Sequence, residues 1–465
     1  MTVTATLRRS SLVVLAVVLA CGILTARASA DAGVAMSPGD FLYLFESPAF
    51  TDLVDGTGAV ESGAAFHWAR FDVSWDTAGT ALSNGSCTQA TSYGSSLSNL
   101  IQAMDYAKPE GMTPVVAFKY GNAMGNTWPA GASDPINPTT QDFGCAYALL
   151  VDDLASAGAL PSTAYFETYN EPQGEADIGD ACAPGSGLAN WYCAADYYEE
   201  AELVDELLGR HDVLIAGTFE DATASDTAGT YCFDSPDGSA EASGGFDWDY
   251  MCAILALDSE FHTPAPTNWS FHDYIDVADS GKSGGCTSIN ASGCVTTDAQ
   301  NFHNLLASYR FSTSNVWVTE AGTPIGPTGC GCLGGDGLGQ AEAAEGFLHL
   351  RWSGLVAHMF WYEFQTYGDG TDDYRSDNFD SALLGIDRPD LTAEQGVPPN
   401  PLGGGGNLAP DPSDPTWGES GNAVPRYSYC VLAFNEAPAA ALNDPRCGYV
   451  TTPENPNTDW QDGNP

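Results

Sequence analysis

Two glutamates lie at the ends of apolar segments that are far apart in the chain. Glu171 follows residues 164–169, which are rich in aromatic and β-branched side chains, and Pro172 comes directly after it. Glu320 ends a similar run at 316–320, which small residues and another proline follow. Aromatic and β-branched residues favour strands, and proline cannot continue a ladder or a helix. Each run therefore predicts a buried strand that presents a carboxylate at its carboxyl end.

Paired carboxylates of this kind are what retaining glycoside hydrolysis requires. One carboxylate attacks the anomeric carbon while the other donates and then removes a proton, and the two groups lie roughly 5–5.5 Å apart. In a barrel of parallel strands, catalytic side chains collect at the carboxyl ends of the strands. An isolated Asn-Glu-Pro sequence, such as that at 170–172, is more often a plain turn. The matching Thr319-Glu320 favours the catalytic interpretation.

Strand-like and helix-like segments alternate from residue 31 onward, which is typical of βα units. The predicted strands cover residues 67–75, 114–119, 164–169, 213–217, 269–274, 316–320 and 358–364. The predicted helices cover residues 97–107, 145–157, 195–208, 250–257, 299–309, 340–352 and 427–434. A further strand opens the series, at either 33–36 or 41–45. The sequence thus predicts an α/β fold, a (β/α)8 TIM barrel, with Glu171 and Glu320 on its fourth and seventh strands.

Long segments rich in Gly, Ser, Asp and Cys follow the predicted strands, namely 76–95, 120–142, 174–193, 219–246 and 276–297. Because they follow strands, we expect them on the catalytic face of the barrel. We predict one catalytic domain over 31–447, in which the Pro- and Gly-rich segment 388–424 is a flexible insertion. Residues 448–465 are predicted to form a loose tail. A cluster of carboxylates at 369–377 leaves calcium binding open.

The first 30 residues predict a secretory signal peptide. Arg8 and Arg9 precede an apolar run at 12–24, and small residues at 28–30 offer a cleavage site. The arginine pair leaves twin-arginine export open, and Cys21 leaves lipid attachment open. No later stretch is long and apolar enough to predict a membrane span. We therefore expect a secreted, extracellular protein.

The cysteines predict disulfides. Removal of residues 1–30 takes away Cys21 and leaves 12 of the 13 cysteines, an even number. In an exported chain this favours disulfides over catalytic or metal-binding thiolates, and it predicts disulfide-linked loops on the catalytic face. The connectivity stays open; the first candidates are the close pairs Cys182/Cys193, Cys286/Cys294 and Cys430/Cys447.

The charge of the chain is strongly negative. There are 61 acidic and 14 basic residues, which gives a formal net charge of −47. Binding to nucleic acid or to an anionic membrane needs a basic surface, so neither is an expected partner. The composition suits an uncharged substrate. An acidic surface that only keeps the protein soluble is the simpler explanation of the same charge.

The motifs together resemble the clan A glycoside hydrolases, a large group of retaining (β/α)8 enzymes, over nearly the whole mature chain. Asn170-Glu171-Pro172 and Thr319-Glu320 carry the resemblance, whereas the first βα unit and the insertion at 388–424 fit it poorly. The resemblance implies that Glu171 is the acid/base and Glu320 the nucleophile. It also implies places in the active site for Arg70 and Trp75 on the second strand, His272 and Tyr274 on the sixth, and Trp361 on the eighth.

Elementary chemistry suggests a role for each of these side chains. Arg70 and Tyr274 would lower the pKa of the nucleophile, and Asn170 would donate to the sugar 2-hydroxyl. Trp361 offers a flat apolar face for a sugar ring. Each has an alternative: Arg70 as a structural ion pair with Asp72 or Glu167, His272 as a core histidine, and Trp361 as barrel core with Tyr362 or Glu363 facing the sugar.

The sequence therefore predicts a secreted retaining glycosidase that cleaves a β-linked oligo- or polysaccharide and needs no cofactor. A catalytically silent carbohydrate-binding or cell-surface protein on the same barrel, and a transglycosylase, are the alternatives. The sugar, the linkage, endo or exo action and the oligomeric state stay open.

Overall fold

The structure is a computed structural model of the chain. The residues that it describes are 30–44, 48–55, 66–74, 80–83, 86–89, 95–119, 139–161, 164–168, 170–171, 190–210, 214–219, 246–261, 264–274, 277, 297–309, 311–323, 337–362, 383–386, 423–425, 427–435 and 438–441.

Eight parallel strands alternate with helices and close into a barrel. The described strands are β1 (Asp31–Met36), β2 (Phe66–Ser74), β3 (Thr80–Ser83), β4 (Ser86–Gln89), β5 (Thr113–Lys119), β6 (Tyr165–Glu167), β7 (Leu214–Phe219), β8 (Asn268–His272), β9 (Asn315–Ala321), β10 (His358–Tyr362), β11 (Leu384–Ile386) and β12 (Ala423–Pro425). All of them except β3, β4, β11 and β12 belong to the barrel. The order around the barrel is β1-β10-β9-β8-β7-β6-β5-β2. The fold is therefore a TIM barrel.

The helices lie between successive strands and after the last one. They are α1 (Pro38–Leu44), α2 (Pro48–Asp55), α3 (Ser95–Ala107), α4 (Thr139–Ala157), α5 (Asn190–Leu207), α6 (Phe246–Phe261), α7 (Thr297–Ser308), α8 (Gly337–Ser353), α9 (Tyr427–Phe434) and α10 (Pro438–Ala441). None of the helices that the structure describes is both long enough and apolar enough to cross a membrane.

The predicted succession of βα units is confirmed. Counted around the barrel, β6 is the fourth strand and β9 the seventh, so Glu171 follows the fourth and Glu320 lies on the seventh, as predicted. The first strand is β1, at the first of the two candidate positions. The alternative at 41–45 is wrong, because residues 38–44 form α1. Phe41 of this helix packs edge-on against Phe50 and Phe71 in the core.

The strands are apolar on both faces because each face is covered. The larger core lies between the strands and the surrounding helices. A smaller aromatic cluster fills the barrel interior and contains Ala35, Trp68, Val115, Ile215, Trp317 and Phe360. Parallel strands buried on both faces give nearly continuous apolar runs instead of an alternating pattern. The sequence therefore reveals the strands clearly but does not reveal which of their side chains point inward.

Two short antiparallel pairs lie outside the barrel. β3 and β4 pair within the predicted loop 76–95, and β11 pairs with β12, which ends the predicted insertion 388–424. Cys252 on α6 and Cys430 on α9 are both disulfide-bonded. Cys193 lies on α5. The candidate half-cystines Cys182, Cys286, Cys294 and Cys447, the predicted signal peptide, the carboxylate cluster at 369–377 and the tail lie outside the described residues.

His358 at the start of β10 is a titratable group held inside this aromatic cluster. Its ring lies 4.2 Å from Trp68 and 3.8 Å from Trp317, between ring centroids. Burial lowers the pKa of His358 to about 4, and Asp31, 3.8 Å away and largely exposed, does not offset that effect. The imidazole is therefore neutral in the folded protein near neutral pH.

A pH-dependent loss of stability follows. Between the unfolded pKa of about 6.5 and the folded pKa of about 4, only the unfolded chain takes up the proton, so falling pH favours unfolding. The contribution of His358 reaches about 3 kcal/mol. Urea unfolding from pH 7 to pH 4 should show a steeper loss of stability for the parent than for His358→Gln. His349→Gln, on the surface of α8, is the control. Parallel curves for the parent and His358→Gln would contradict the prediction.

Candidate active site

The predicted polar residues converge at the carboxyl ends of four strands. Arg70 comes from β2, Asn170 and Glu171 follow β6, His272 and Tyr274 come from β8 and the residues after it, and Glu320 lies on β9. All are buried except Glu171, whose side chain keeps 25% of its surface exposed. The site therefore forms from elements that the barrel holds rigidly, with one carboxylate open to solvent.

Arg70 is the centre of the site. Its Nε donates to Glu167 Oε2 at 2.7 Å, and its Nη2 donates to Asn170 Oδ1 at 2.7 Å. Its Nη1 donates to Asp72 Oδ1 at 2.7 Å and to Glu320 Oε1 at 2.8 Å. The ion pairs with Asp72 and Glu167, given as the structural alternative for this arginine, are thus present, and the same guanidinium also contacts Glu320. Burial alone would lower the pKa of Arg70, but the three carboxylates outweigh it and hold the pKa well above its ordinary value.

Glu320 is fixed at both carboxylate oxygens. Arg70 donates to Oε1, and the Tyr274 hydroxyl donates to Oε2 at 2.6 Å. Burial, and next to it the charge of Glu320, raise the pKa of Tyr274 well above its usual value, so the phenol remains a donor. Glu320 itself is only 2% exposed. A positive charge and a short hydrogen bond together favour the ionised carboxylate and prevent it from rotating.

Glu171 is held by its side chain and by its backbone. His272 Nδ1 lies 2.6 Å from Glu171 Oε1 and 3.6 Å from Glu320 Oε2. Burial would lower the pKa of His272, but the charges of Glu320 and Glu171 outweigh it and raise the pKa. The two charges therefore favour a proton on the imidazole, whose Nδ1 faces both carboxylates.

The backbone after β6 joins the strands on either side. The Asn170 N–H donates to Phe118 O on β5 at 2.8 Å, and the Glu171 N–H donates to Thr218 O on β7 at 3.0 Å. Glu171 itself adopts a left-handed conformation with φ 44°. This turn directs the carboxylate toward the barrel axis instead of continuing the strand.

The spacing of the two glutamates is short. Single ligand atoms of Glu171, His272 and Glu320 all lie within 4.8 Å of one another. Carboxylates that must accommodate a water between themselves and the sugar are roughly 6.5–9.5 Å apart, whereas those of a direct-attack site are roughly 5–5.5 Å apart. The spacing here fits direct attack. Among the described residues, these three also form the one group whose spacing would suit a metal ion.

Trp361 does not lie in this site, so its predicted role as a sugar platform is wrong. Its side chain is fully buried between β10 and α8, and its ring packs on Phe347 with centroids 5.6 Å apart. Successive strand side chains point to opposite faces, and the neighbours Phe360 and Tyr362 belong to the interior cluster. Tyr362, the alternative considered for this position, is near enough to Tyr274 to raise the pKa of that phenol. Trp75 lies outside the described residues.

Two further residues shape the site and were not anticipated. Thr218 on β7 accepts the Glu171 amide and is itself in a left-handed conformation with φ 58°. Ser270 on β8 accepts the Thr218 N–H through its Oγ at 2.9 Å. The one sequence signal is Gly217 directly before Thr218, since a glycine inside a strand often marks a bulge.

Comparison with known proteins finds similar solved structures of low sequence identity. No protein family and no curated protein matches the sequence. Similar solved structures include a broad-specificity GH5-4 endoglucanase from Clostridium acetobutylicum, with 13% identity, 76% of this chain and 91% of that chain covered, and a TM-score of 0.43. An endo-β-1,4-glucanase from Xanthomonas axonopodis pv. citri has 14% identity and a TM-score of 0.40, with 74% of this chain and 90% of that chain covered. An endo-β-1,6-glucanase has 13% identity and a TM-score of 0.47, with 77% of this chain and 70% of that chain covered. Similarity at this level assigns neither activity nor substrate to the chain.

The contacts of Arg70 make a stability prediction. Arg70→Met would leave Glu167, Asp72 and Glu320 without their cation, and loss of one partner from a buried ion pair costs about 3–5 kcal/mol. We expect that loss in urea unfolding at pH 7. Arg70→Lys keeps the charge but not the planar guanidinium, so its stability should lie between those of the parent and Arg70→Met. A loss below about 1 kcal/mol for Arg70→Met would show that the carboxylates do not depend on this guanidinium.

Proposed function

We propose that this protein is a retaining glycosidase that cleaves a β-linked oligo- or polysaccharide by double displacement. The observation that carries the proposal is the pairing of Glu171 with Glu320, whose closest carboxylate oxygens lie within 4.8 Å. The surroundings of the two glutamates differ, as a reaction with one nucleophile and one acid/base requires. Glu320 is bound by a guanidinium and a phenol, while Glu171 is partly exposed beside an imidazole.

In the first step Glu320 attacks the anomeric carbon, and the bond to the leaving oxygen breaks. Glu171 gives its proton to that oxygen, so the leaving group departs as a neutral alcohol and a glycosyl ester remains on Glu320. Esterification removes the negative charge of Glu320. Glu171, which has given up its proton, is then the base of the second step. It then takes a proton from water, which attacks the anomeric carbon from the face that the leaving group vacated. The ester bond to Glu320 breaks, and the sugar is released with retained configuration.

Asn170 supports the proposal with a buried side-chain amide. Arg70 fixes its Oδ1, which determines the orientation of the amide. Its Nδ2 is buried and has no hydrogen-bond partner among the residues that the structure describes. A buried unpaired donor is costly unless a ligand satisfies it. We assign it to the 2-hydroxyl of the sugar, where such a bond strengthens in the transition state.

The proposed function includes export of the protein to an oxidising compartment, where disulfides form. We propose that residues 1–30 are removed as a signal peptide, that the protein acts outside the cell, and that disulfides link the loops of the catalytic face. A net charge of −47 further supports an uncharged carbohydrate substrate, since anionic polysaccharides would be repelled.

The direct test is hydrolysis of aryl β-glycosides, β-glucans, mannans and xylans by the parent, Glu171→Gln and Glu320→Gln. The configuration of the first product is followed by NMR. We expect retention, loss of turnover in Glu320→Gln, and about 10²–10⁴-fold slower cleavage of unactivated substrates in Glu171→Gln. Glu345→Gln, on the outer surface of α8, is the matched control.

Inversion, or full activity in either site variant, would exclude the mechanism. Binding of a polysaccharide without turnover, equal in all the proteins, would instead indicate a catalytically silent carbohydrate-binding protein. Addition of a second sugar as acceptor to the same assay separates hydrolysis from transglycosylation, because only a transglycosylase then yields a larger product.

Tyr274 provides a second test within the site. Tyr274→Phe removes the hydroxyl that donates to Glu320 while it keeps the ring. A hydrogen bond to a charged group is worth about 1.5–3 kcal/mol, so kcat should fall about 10–100-fold. Tyr106→Phe on α3, whose hydroxyl accepts a surface bond from Gln102, is the control. An unchanged kcat in Tyr274→Phe would remove the phenol from the mechanism.

A further inference from the structure

We propose that Thr218 and Ser270 form a positioning device for Glu171, in which Ser270 holds a strained backbone whose carbonyl fixes the acid/base. The inference rests on the proposed function, since that function gives Glu171 its role. Neither residue contacts the reacting carboxylates, so both are positioning residues and not catalytic ones.

The backbone of β7 is distorted at the point where it meets Glu171. The pairing with β8 passes from Gly217 to Phe219, so Thr218 is an extra residue in the strand, a bulge. Thr218 has φ 58°, an unusual conformation for a β-branched residue. Such strain persists only where the surrounding structure enforces it, and it concentrates at functional sites.

Two contacts enforce the conformation. The Thr218 N–H donates to Ser270 Oγ at 2.9 Å, and the two side-chain oxygens lie 3.4 Å apart. Gly217, with φ +102°, approaches the β8 backbone so closely that an added Cβ would lie 2.7 Å from Ser270 O. Thr218 and Ser270 are both buried. The result is a carbonyl of Thr218 turned toward β6, where it accepts the Glu171 N–H at 3.0 Å.

The device acts on one carboxylate only. If Thr218 relaxed to an ordinary strand conformation, its carbonyl would turn away from the Glu171 amide and the turn at Glu171 would lose its support on the β7 side. Glu320 would not move with it, because Arg70 and Tyr274 hold that side chain from other strands. Loss of the device should therefore impair protonation of the leaving group and leave nucleophilic attack intact.

The test exploits this separation. Ser270→Ala removes the acceptor of the Thr218 amide, and kcat/KM is measured for aryl β-glycosides of the preferred sugar. This parameter reports the first chemical step. A dinitrophenolate departs without a proton, whereas an unsubstituted phenol needs the acid. We expect a loss of about 10-fold or more for the phenyl glycoside and a change within about twofold for the dinitrophenyl glycoside.

Gly217→Ala disturbs the same bulge, because its added Cβ would clash with Ser270 O on β8. It should give the same selective loss on the phenyl glycoside. Ser308→Ala, which removes an exposed hydroxyl bonded to Leu305 O on α7, is the matched control. Equal losses on both glycosides, or no loss on either, in Ser270→Ala would overturn the inference. If Ser270→Ala cleaves both glycosides at the parent rate and with retained configuration, the proposed function stands and this device is rejected.

Hydrogen exchange of the Glu171 amide gives a readout that does not depend on catalysis. In Ser270→Ala we expect at least about 10-fold faster exchange there than in the parent, with the core of β9 unchanged. Unchanged exchange would overturn the device even if no substrate were found. Faster exchange in Ser270→Ala, together with a parent that cleaves no glycoside, would support the device and reject the proposed function.

Discussion

The site depends on a single buried guanidinium. Arg70 reaches three carboxylates and one amide from strand β2, and these partners come from β2, β6 and β9 and the turn after β6. Each of those carboxylates would be costly inside a barrel without a cation, and the cation would be costly without them. The strands can therefore present acidic side chains at adjacent ends only because one planar, permanently charged group satisfies them together.

From this constraint the two glutamates acquire different environments. Glu320 belongs to the ion network and has no rotational freedom left, because Tyr274 occupies its second oxygen. Glu171 lies outside the network and contacts His272 instead, with part of its surface open. The two glutamates thus differ because Arg70 reaches one of them and not the other, and not because of any chemical difference between the two residues.

Much of this could be predicted from the sequence, for physical reasons that also mark the limit. Strand-ending glutamates and their polar neighbours are visible because the carboxyl ends of the strands must meet. Trp361 was misassigned because strands apolar on both faces carry no signal of which side chains point inward, and β10 also shifts register between Met359 and Trp361. The conformation of Thr218 was beyond reach, since strain is set by contacts with another strand.

The carboxylates gathered around Arg70 have a further consequence, for the ligands that the site would prefer. Glu167, Asp72 and Glu320 bring three negative charges to one guanidinium, so the pocket floor carries a surplus of negative potential. A sugar that develops positive charge at its anomeric carbon lowers its energy in such a field, and the ground-state sugar, being neutral, does not. Under the proposed function, ring-nitrogen sugar mimics that carry a permanent positive charge should accordingly outcompete neutral sugars of the same shape.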